Sequence, residues 1–272
     1  MNLLHIALRE IKIGFRNPWA YSFMALFALF SLSLLLINTQ RFAEGYSSTT
    51  SSMLNLILYL LPLMTLLLGS FSLTAEKEEG SWQLLATYPL STFSFIGGKY
   101  VGLTALLITI VAFGYGLTGV AGSLTGRGLD SRTLGMFLAF SFGLIVLFLA
   151  IALVIGTLAR NRWQALTIGV AVWFFAVIGW PTLLIALLGL MPYMWIKPVL
   201  VALTFLNPAE LVRLFVVIKL GGGSALGPEY YQWVGWVSRP SGGWLFLLIC
   251  ALWAAAAIGW AHLVWERGRS RG

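Results

Sequence analysis

Residues 74–99 read TAEKEEGSWQLLATYPLSTFSFIGGK and form the one long polar interruption in the first half of a very apolar chain. Four consecutive charged residues make the densest charge cluster in the sequence, and Gly80 then breaks the run. Ser81 is placed to cap a short helix that ends before Pro89, because proline keeps the preceding residue out of helical backbone. Ser91 can cap a second helix that continues into the next apolar run. A charged helix, a glycine break and a short amphipathic helix predict a docking surface rather than a simple connection.

The composition indicates that the solvent of this protein is lipid. Of the 272 residues, 59% are hydrophobic and 10% are charged, whereas soluble domains carry about 25% charged residues. The net charge of +8 does not favour nucleic-acid binding, because the basic residues cluster at the ends of apolar runs. The single cysteine, Cys250, excludes an internal disulfide framework and any Cys-x-x-Cys motif.

Six apolar runs have about the length that a bilayer requires and must be helical, because lipid offers no partner for free backbone groups. They cover residues 18–37, 53–73, 100–121, 133–158, 165–190 and 244–264. These runs predict an all-α polytopic membrane protein.

Residues 1–17 predict an amphipathic helix that lies in the headgroup layer, with a basic face and an apolar face. The basic face holds His5, Arg9, Lys12 and Arg16, and the apolar face holds Leu4, Leu8, Ile11 and Phe15. The alternative is a signal peptide, but no small-residue cleavage site follows the next run. We therefore predict two parts, an interfacial helix over 1–17 and one six-span domain over 18–272.

The placement of lysine and arginine predicts the orientation of the spans. Ten of the 17 basic residues lie in segments that share a side with the N-terminus, and three lie in the short loops of the other side. Both termini and the loop over 74–99 are therefore predicted to be cytoplasmic.

The fifth loop, over residues 191–243, is too long for a turn and too apolar for a disordered linker. Asn207 can cap a helix that begins with Pro208 and carries Glu210 in its first turn. Arg213 follows Glu210 by three residues, so the two side chains can pair on one helix face. We interpret this loop as an extracytoplasmic gate of two short helices, with these four residues at its centre.

The sequence shows no nucleotide-binding or catalytic motif. No G-x-x-x-x-G-K-[ST] or H-E-x-x-H pattern occurs, and His5 and His262 are interpreted as interfacial side chains. Met191 and Met194 could meet a Cu(I) ion, but apolar contact is the better interpretation. The spans contain essentially no ionisable residues, so a proton-driven pump is disfavoured. We predict a protein that is not an enzyme, has no metal site or cofactor, and takes its energy from a partner.

The polar stretch resembles the first cytoplasmic loop of ABC-2 type transporter permeases. In that family an E-E-G-[ST] element follows the second span, and a short coupling helix beside it rests in a groove of a separate ATPase subunit. The resemblance implies a type V exporter-like fold in which the helix over 1–17 is the elbow helix. The residues that it implies for ATPase coupling are Glu78, Glu79, Gly80, Ser81, Leu84, Leu85 and Pro89. Residues 91–94 read STFS, where many members of the family carry Arg or Lys after the proline.

Within the ABC-2 family, the Leu206-Asn207-Pro208 break and the following Arg213 resemble the NosY-type permeases of nitrous oxide reductase maturation. This resemblance implies a bacterial inner-membrane homodimer with a cytoplasmic ABC ATPase, a periplasmic repeat protein and a role in copper-site assembly. The alternatives are an ABC-2 exporter of a lipid, drug or ion, and a membrane scaffold that moves nothing. A third alternative, an intramembrane enzyme, lacks catalytic residues.

Overall fold

A computed structural model describes residues 3–37, 46–80, 91–126 and 130–269. These residues form helices and no strands. The α-helices are α1 (Leu3–Arg16), α2 (Pro18–Ile37), α3 (Ser48–Glu78), α4 (Thr92–Leu124), α5 (Ser131–Leu158), α6 (Arg162–Trp173), α7 (Trp180–Gly189), α8 (Tyr193–Leu206), α9 (Pro208–Lys219), α10 (Tyr231–Ser238) and α11 (Gly242–Arg269).

Within the described residues, five helical segments are long and apolar enough to cross a membrane. They are α3, α4, α5, the continuous α6–α7 segment and α11. A shorter apolar helix lies in α2, and α8 and α9 pass the same test together but are bent by 108°. The predicted fold class is confirmed: the chain is an all-α, multi-pass membrane protein.

The spans alternate in direction, so one end of the bundle gathers α1, the ends of α3, α5 and α11, and the starts of α4 and α6. We call this the α1 end. Phe95 of α4 and Trp265 of α11 stack there, with ring centroids 5.4 Å apart. The bent pair α8–α9 and helix α10 follow α7, which ends on the opposite side of the bundle.

Helices α3 and α5 form the centre of the bundle and approach closely at Gly156. A Cβ at this glycine would lie 3.0 Å from the carbonyl oxygen of Ser70 and 2.9 Å from Cβ of Leu73. Phe140 and Phe148 of α5 are completely buried. A larger side chain at position 156 would therefore force the two central helices apart.

Helix α1 has three faces rather than the two predicted. Leu4 and Leu8 are exposed on the predicted apolar face, as suits a helix in contact with lipid. A third face, which includes Ala7 and Glu10, is buried against α4. At Gly102 a Cβ would lie 2.6 Å from the carbonyl oxygen of Ala7, so the two helices cross with little space between their backbones.

The polar stretch over 74–99 is helical at both ends, because α3 extends to Glu78 and α4 begins at Thr92. The N–H of Gly80 donates to the carbonyl of Lys77 (3.3 Å), and its φ of +68° gives α3 the left-handed ending that glycine favours. The predicted cap of the next helix is confirmed, since the Ser91 hydroxyl accepts from the N–H of Ser94. Of the predicted coupling residues, those outside the described residues are Ser81, Leu84, Leu85 and Pro89.

The predicted fifth span contains a π-helical turn, Phe174–Gly179, between α6 and α7. Pro181 follows this turn and has no N–H to donate to a carbonyl one turn earlier. Wider turns of this kind leave backbone carbonyls open to other donors. One of them is used by the bent pair α8–α9.

Candidate functional site: the α1 end and the bent helix pair

A buried ion cluster joins three helices at the α1 end. The Lys99 ammonium of α4 lies 2.7 Å from a carboxylate oxygen of Glu10 in α1 and 3.1 Å from one of Glu76 in α3. The Lys99 side chain is 1% exposed, and the two carboxylates are almost as deeply buried. A charge this deep is stable only when it is paired and hydrogen-bonded.

Two polar neighbours complete this cluster. The Ser72 hydroxyl accepts from the Lys99 ammonium (2.8 Å) and donates to Glu10 (2.8 Å). The Arg9 guanidinium contacts Glu76 at 3.4 Å and is 40% exposed. The cluster therefore runs from the fully buried lysine to the surface of the α1 end.

Glu76 lies near the end of α3, before the connection over residues 79–91, and Lys99 lies within α4, after it, so the cluster ties the helices on both sides of the predicted coupling segment to α1. Sequence reasoning missed it, because no local pattern relates Glu10 in a basic helix to Lys99 at the end of the polar stretch. The available signals were the single acidic residue in α1 and the lysine between Gly98 and Gly102.

Lys77, one residue beyond Glu76, binds the end of α5. Its ammonium donates to the carbonyl oxygens of Gly156 (2.9 Å), Thr157 (2.7 Å) and Ala159 (2.8 Å). The last carbonyls of a helix have no partner within the helix and attract a cation. This lysine thus fixes the end of α5 to the end of α3.

The predicted coupling residues Glu78 and Glu79 contact the start of α6. Glu78 accepts from the backbone N–H of Arg162 (2.7 Å) and pairs with its guanidinium at 3.0 Å. Glu79 lies 3.5 Å from the same guanidinium and is 67% exposed. That these carboxylates face an ATPase stays a prediction; Glu78 is already closely paired with Arg162, whereas Glu79 keeps one long contact and is largely exposed. The structure brings Gly80 to the same surface, where it is exposed.

The four predicted gate residues lie together at the bend between α8 and α9. Asn207 is buried, and its side chain makes two hydrogen bonds. The side-chain carbonyl oxygen accepts from the backbone N–H of Ala209 (2.9 Å), and the side-chain amide donates to the backbone carbonyl of Ala176 (2.7 Å) in the π turn. The predicted cap is confirmed, and Pro208 occupies the first position of α9 as expected. Asn207 therefore links the bend to the fifth span.

The predicted pair of Glu210 and Arg213 is also confirmed. Two nitrogens of the guanidinium contact the two carboxylate oxygens at 3.0 Å and 2.7 Å, a bidentate geometry. Helix α9 is more deeply placed than a surface loop, since nine of its 12 residues are buried and Val212 packs on Gly143 in the middle of α5.

The described residues hold no group of three or more His, Cys, Asp or Glu side chains that could bind a metal ion. Met194, one of the two methionines considered for Cu(I), is 85% exposed.

The family model described as "ABC-2 family transporter protein" matches residues 4–267. The chain belongs to this family. A relative from Stutzerimonas stutzeri is 32% identical over 232 residues, or 82% of this chain and 84% of the relative. A relative from Pseudomonas aeruginosa is 31% identical over 272 residues, or 96% of this chain and 97% of the relative. Both are named "Probable ABC transporter permease protein NosY".

The predicted membership of the ABC-2 family is therefore confirmed. The chain is a multi-pass permease subunit of the ABC transporter type, and the family implies an ATPase partner.

Proposed function

We propose that this permease forms a homodimer, binds two ATPase subunits at its α1 end, and converts their closure into a change of access across the membrane. In this proposal the α1 end is cytoplasmic, both termini lie on that side, and the membrane is the bacterial inner membrane. The observation that carries the proposal is the Lys99 cluster, because it joins both flanks of the coupling segment to α1.

The contacts at the α1 end can pass a movement of residues 79–91 on to the neighbouring helices. Separating a buried lysine from its carboxylates is costly, so α1, the end of α3 and the start of α4 move together. Lys77 and Arg162 extend the same unit to the end of α5 and the start of α6. In this proposal the bend at Asn207, which is bonded to the π turn in the middle of the span that begins at Arg162, serves as the gate on the extracytoplasmic side of the pathway.

Docking of the ATPase tests this proposal. Leu84 and Leu85 provide the apolar contact with the ATPase groove, so Leu84→Glu and Leu85→Glu should abolish co-purification of the ATPase subunit. Met194→Glu, an exposed residue that follows α7 on the opposite side, is the matched control and should leave co-purification unchanged. Equal co-purification of all three variants would contradict the proposed docking surface.

We also propose that the transporter serves the assembly of the copper site of nitrous oxide reductase, together with a periplasmic repeat protein. Two relatives named NosY, similar over most of the chain, support this role. A strain that lacks this permease should produce nitrous oxide reductase with little copper, and the intact gene should restore it. Full copper content would favour the alternative, an exporter of a lipid, drug or ion.

A second measurement distinguishes a transporting permease from a non-transporting scaffold. A coupled permease changes the turnover of its ATPase in reconstituted vesicles, whereas a scaffold holds the ATPase and leaves its turnover unchanged.

A further inference from the structure

A cavity of about 780 Å³ opens at the α1 end, between α1, the start of α2, α3, α4 and the start of α6. Its apolar wall includes Leu68 and Phe71 of α3, Leu103 and Leu106 of α4, and Leu166 of α6. Pockets for small ligands typically measure roughly 300–1,000 Å³ and are mostly apolar with a few placed polar groups. The size and the walls of this cavity therefore suit an amphipathic ligand.

The polar wall of the cavity is electrically balanced. It contains four cationic and four acidic side chains, and the Lys99 cluster and the Arg162 contacts pair most of them with each other. Two groups are left over. Arg16 has no ion pair within the part of the chain that the structure describes, and Glu79 is 67% exposed with one long contact to Arg162 (3.5 Å). Among the described residues that line the cavity, one unpaired cation and one loosely held carboxylate complement a zwitterion rather than an anion.

Two tryptophans place this cavity at the level of the lipid headgroups. Trp19, at the start of α2, is 50% exposed, and Trp163, at the start of α6, is 78% exposed. Both line the cavity from different helices, and Trp19 also packs edge-on against Phe71. Exposed tryptophans are enriched where the bilayer meets water, because one part of the ring is apolar and the N–H is polar.

We propose that this cavity binds one zwitterionic phospholipid from the leaflet on the α1 side. Its phosphate binds Arg16, its primary ammonium binds Glu79, and the upper parts of its acyl chains lie against the leucines of α3, α4 and α6. The apolar wall favours a lipid over free phosphate, and the balanced charge favours phosphatidylethanolamine over an anionic lipid such as phosphatidylglycerol. This bound lipid is additional to any transported substrate and does not depend on the proposed copper role.

Lipid retention tests the proposal. The full-length permease is purified in mild detergent, delipidated and exposed to vesicles with equal amounts of phosphatidylethanolamine and phosphatidylglycerol, and bound lipid is counted by native mass spectrometry. The wild type should retain one phosphatidylethanolamine. Arg16→Gln should lower retention about tenfold, equivalent to about 1.4 kcal/mol. Glu79→Gln should remove the preference for phosphatidylethanolamine, and Leu166→Trp should fill the cavity and abolish retention.

Lys12→Gln is the matched control, because Lys12 lies on the exposed face of the same helix and does not line the cavity. Equal retention by Arg16→Gln and Lys12→Gln would overturn the proposal, as would an unchanged lipid preference in Glu79→Gln. The proposal would also be overturned if the delipidated permease bound inorganic phosphate but retained no lipid from the vesicles. Leu166→Trp could instead change the number of chains in the assembly and leave the lipid count unchanged. In that case a second copy of the chain would occupy the cavity, and the lipid assignment would be wrong.

Discussion

Replacing Lys99 by methionine is the sharpest test of the buried ion cluster. Methionine is close to lysine in length and removes the charge without leaving a large hole. The ammonium lies 2.7 Å from Glu10 and 3.1 Å from Glu76, and its side chain is 1% exposed. Removing one partner of a buried pair typically costs 3–5 kcal/mol, because the other charge stays buried, whereas an exposed pair contributes about 0–1 kcal/mol. We therefore expect Lys99→Met to lower the free energy of unfolding by about 3–5 kcal/mol.

Lys99→Met should destabilise the environments of Glu10 and Glu76 unequally. Glu76 keeps its contact with Arg9 at 3.4 Å, while Glu10 keeps the neutral hydroxyl of Ser72 at 2.8 Å. Most of the loss should therefore arise at Glu10. Adding Glu10→Gln to Lys99→Met removes that unpaired charge and should recover roughly 0.5–3 kcal/mol, the usual size of a coupling energy between contacting residues.

Unfolding by SDS titration in mixed micelles measures both effects for the two single variants and the double variant. Lys12→Met removes an exposed lysine from the same end of the bundle and should change stability by no more than about 0.5 kcal/mol. If Lys99→Met is no more destabilising than Lys12→Met, or if Glu10→Gln worsens the Lys99→Met variant, the cluster is not the buried ion pair that its geometry indicates.

Three further outcomes are expected. In Gly80→Val the new side chain has space, since a Cβ at Gly80 would meet no atom within 4 Å, but a β-branched residue at φ +68° costs roughly 1–3 kcal/mol of local strain. This variant should uncouple ATP hydrolysis from transport more severely than Glu79→Gln does. Permease-stimulated ATPase activity in vesicles measures the difference. Asn207→Ser keeps a helix cap but loses the donor to Ala176, so its thermal unfolding in detergent should show a loss of about 1–3 kcal/mol, and Asn207→Ala a larger one. In a Cys250→Ser background, cysteines at Ser81 and Ser270 should react with reagents from the cytoplasm and one at Ser48 from outside; labelling of positions 48 and 81 from one side would contradict the six-span topology.

The sequence predicted those features that depend on local physics. Spans follow from runs of apolar residues, because lipid leaves a continuous helix as the available structure. The caps at Ser91 and Asn207 follow from side chains that bond to backbone two or three residues away. The pair of Glu210 and Arg213 lies within one turn of α9, so spacing alone indicated it.

The ion cluster could not be predicted in this way, because its members are far apart in sequence. Glu10 and Lys99 are separated by 89 positions, and Glu78 and Arg162 by 84. No local period relates such residues, and which face of α1 meets α4 depends on the close crossing at Gly102. The predicted helix after Ser91 includes Lys99, but its local pattern does not show that this lysine faces Glu10 and Glu76.

The chemistry of the cluster bears on coupling as well as on stability. Apolar side chains of similar volume would hold α1, α3 and α4 together at least as strongly, since buried ion pairs are often no more stabilising than well-packed hydrophobic residues. Apolar contacts, however, tolerate sliding between helices, whereas one ammonium can reach two carboxylates in only one register. A displacement of α1 along α4 by one helical turn, 5.4 Å, would break the contacts of Lys99 with Glu10. The cluster therefore fixes the register of α1 against both flanks of the connection over 79–91, which is the property that the proposed coupling to an ATPase requires.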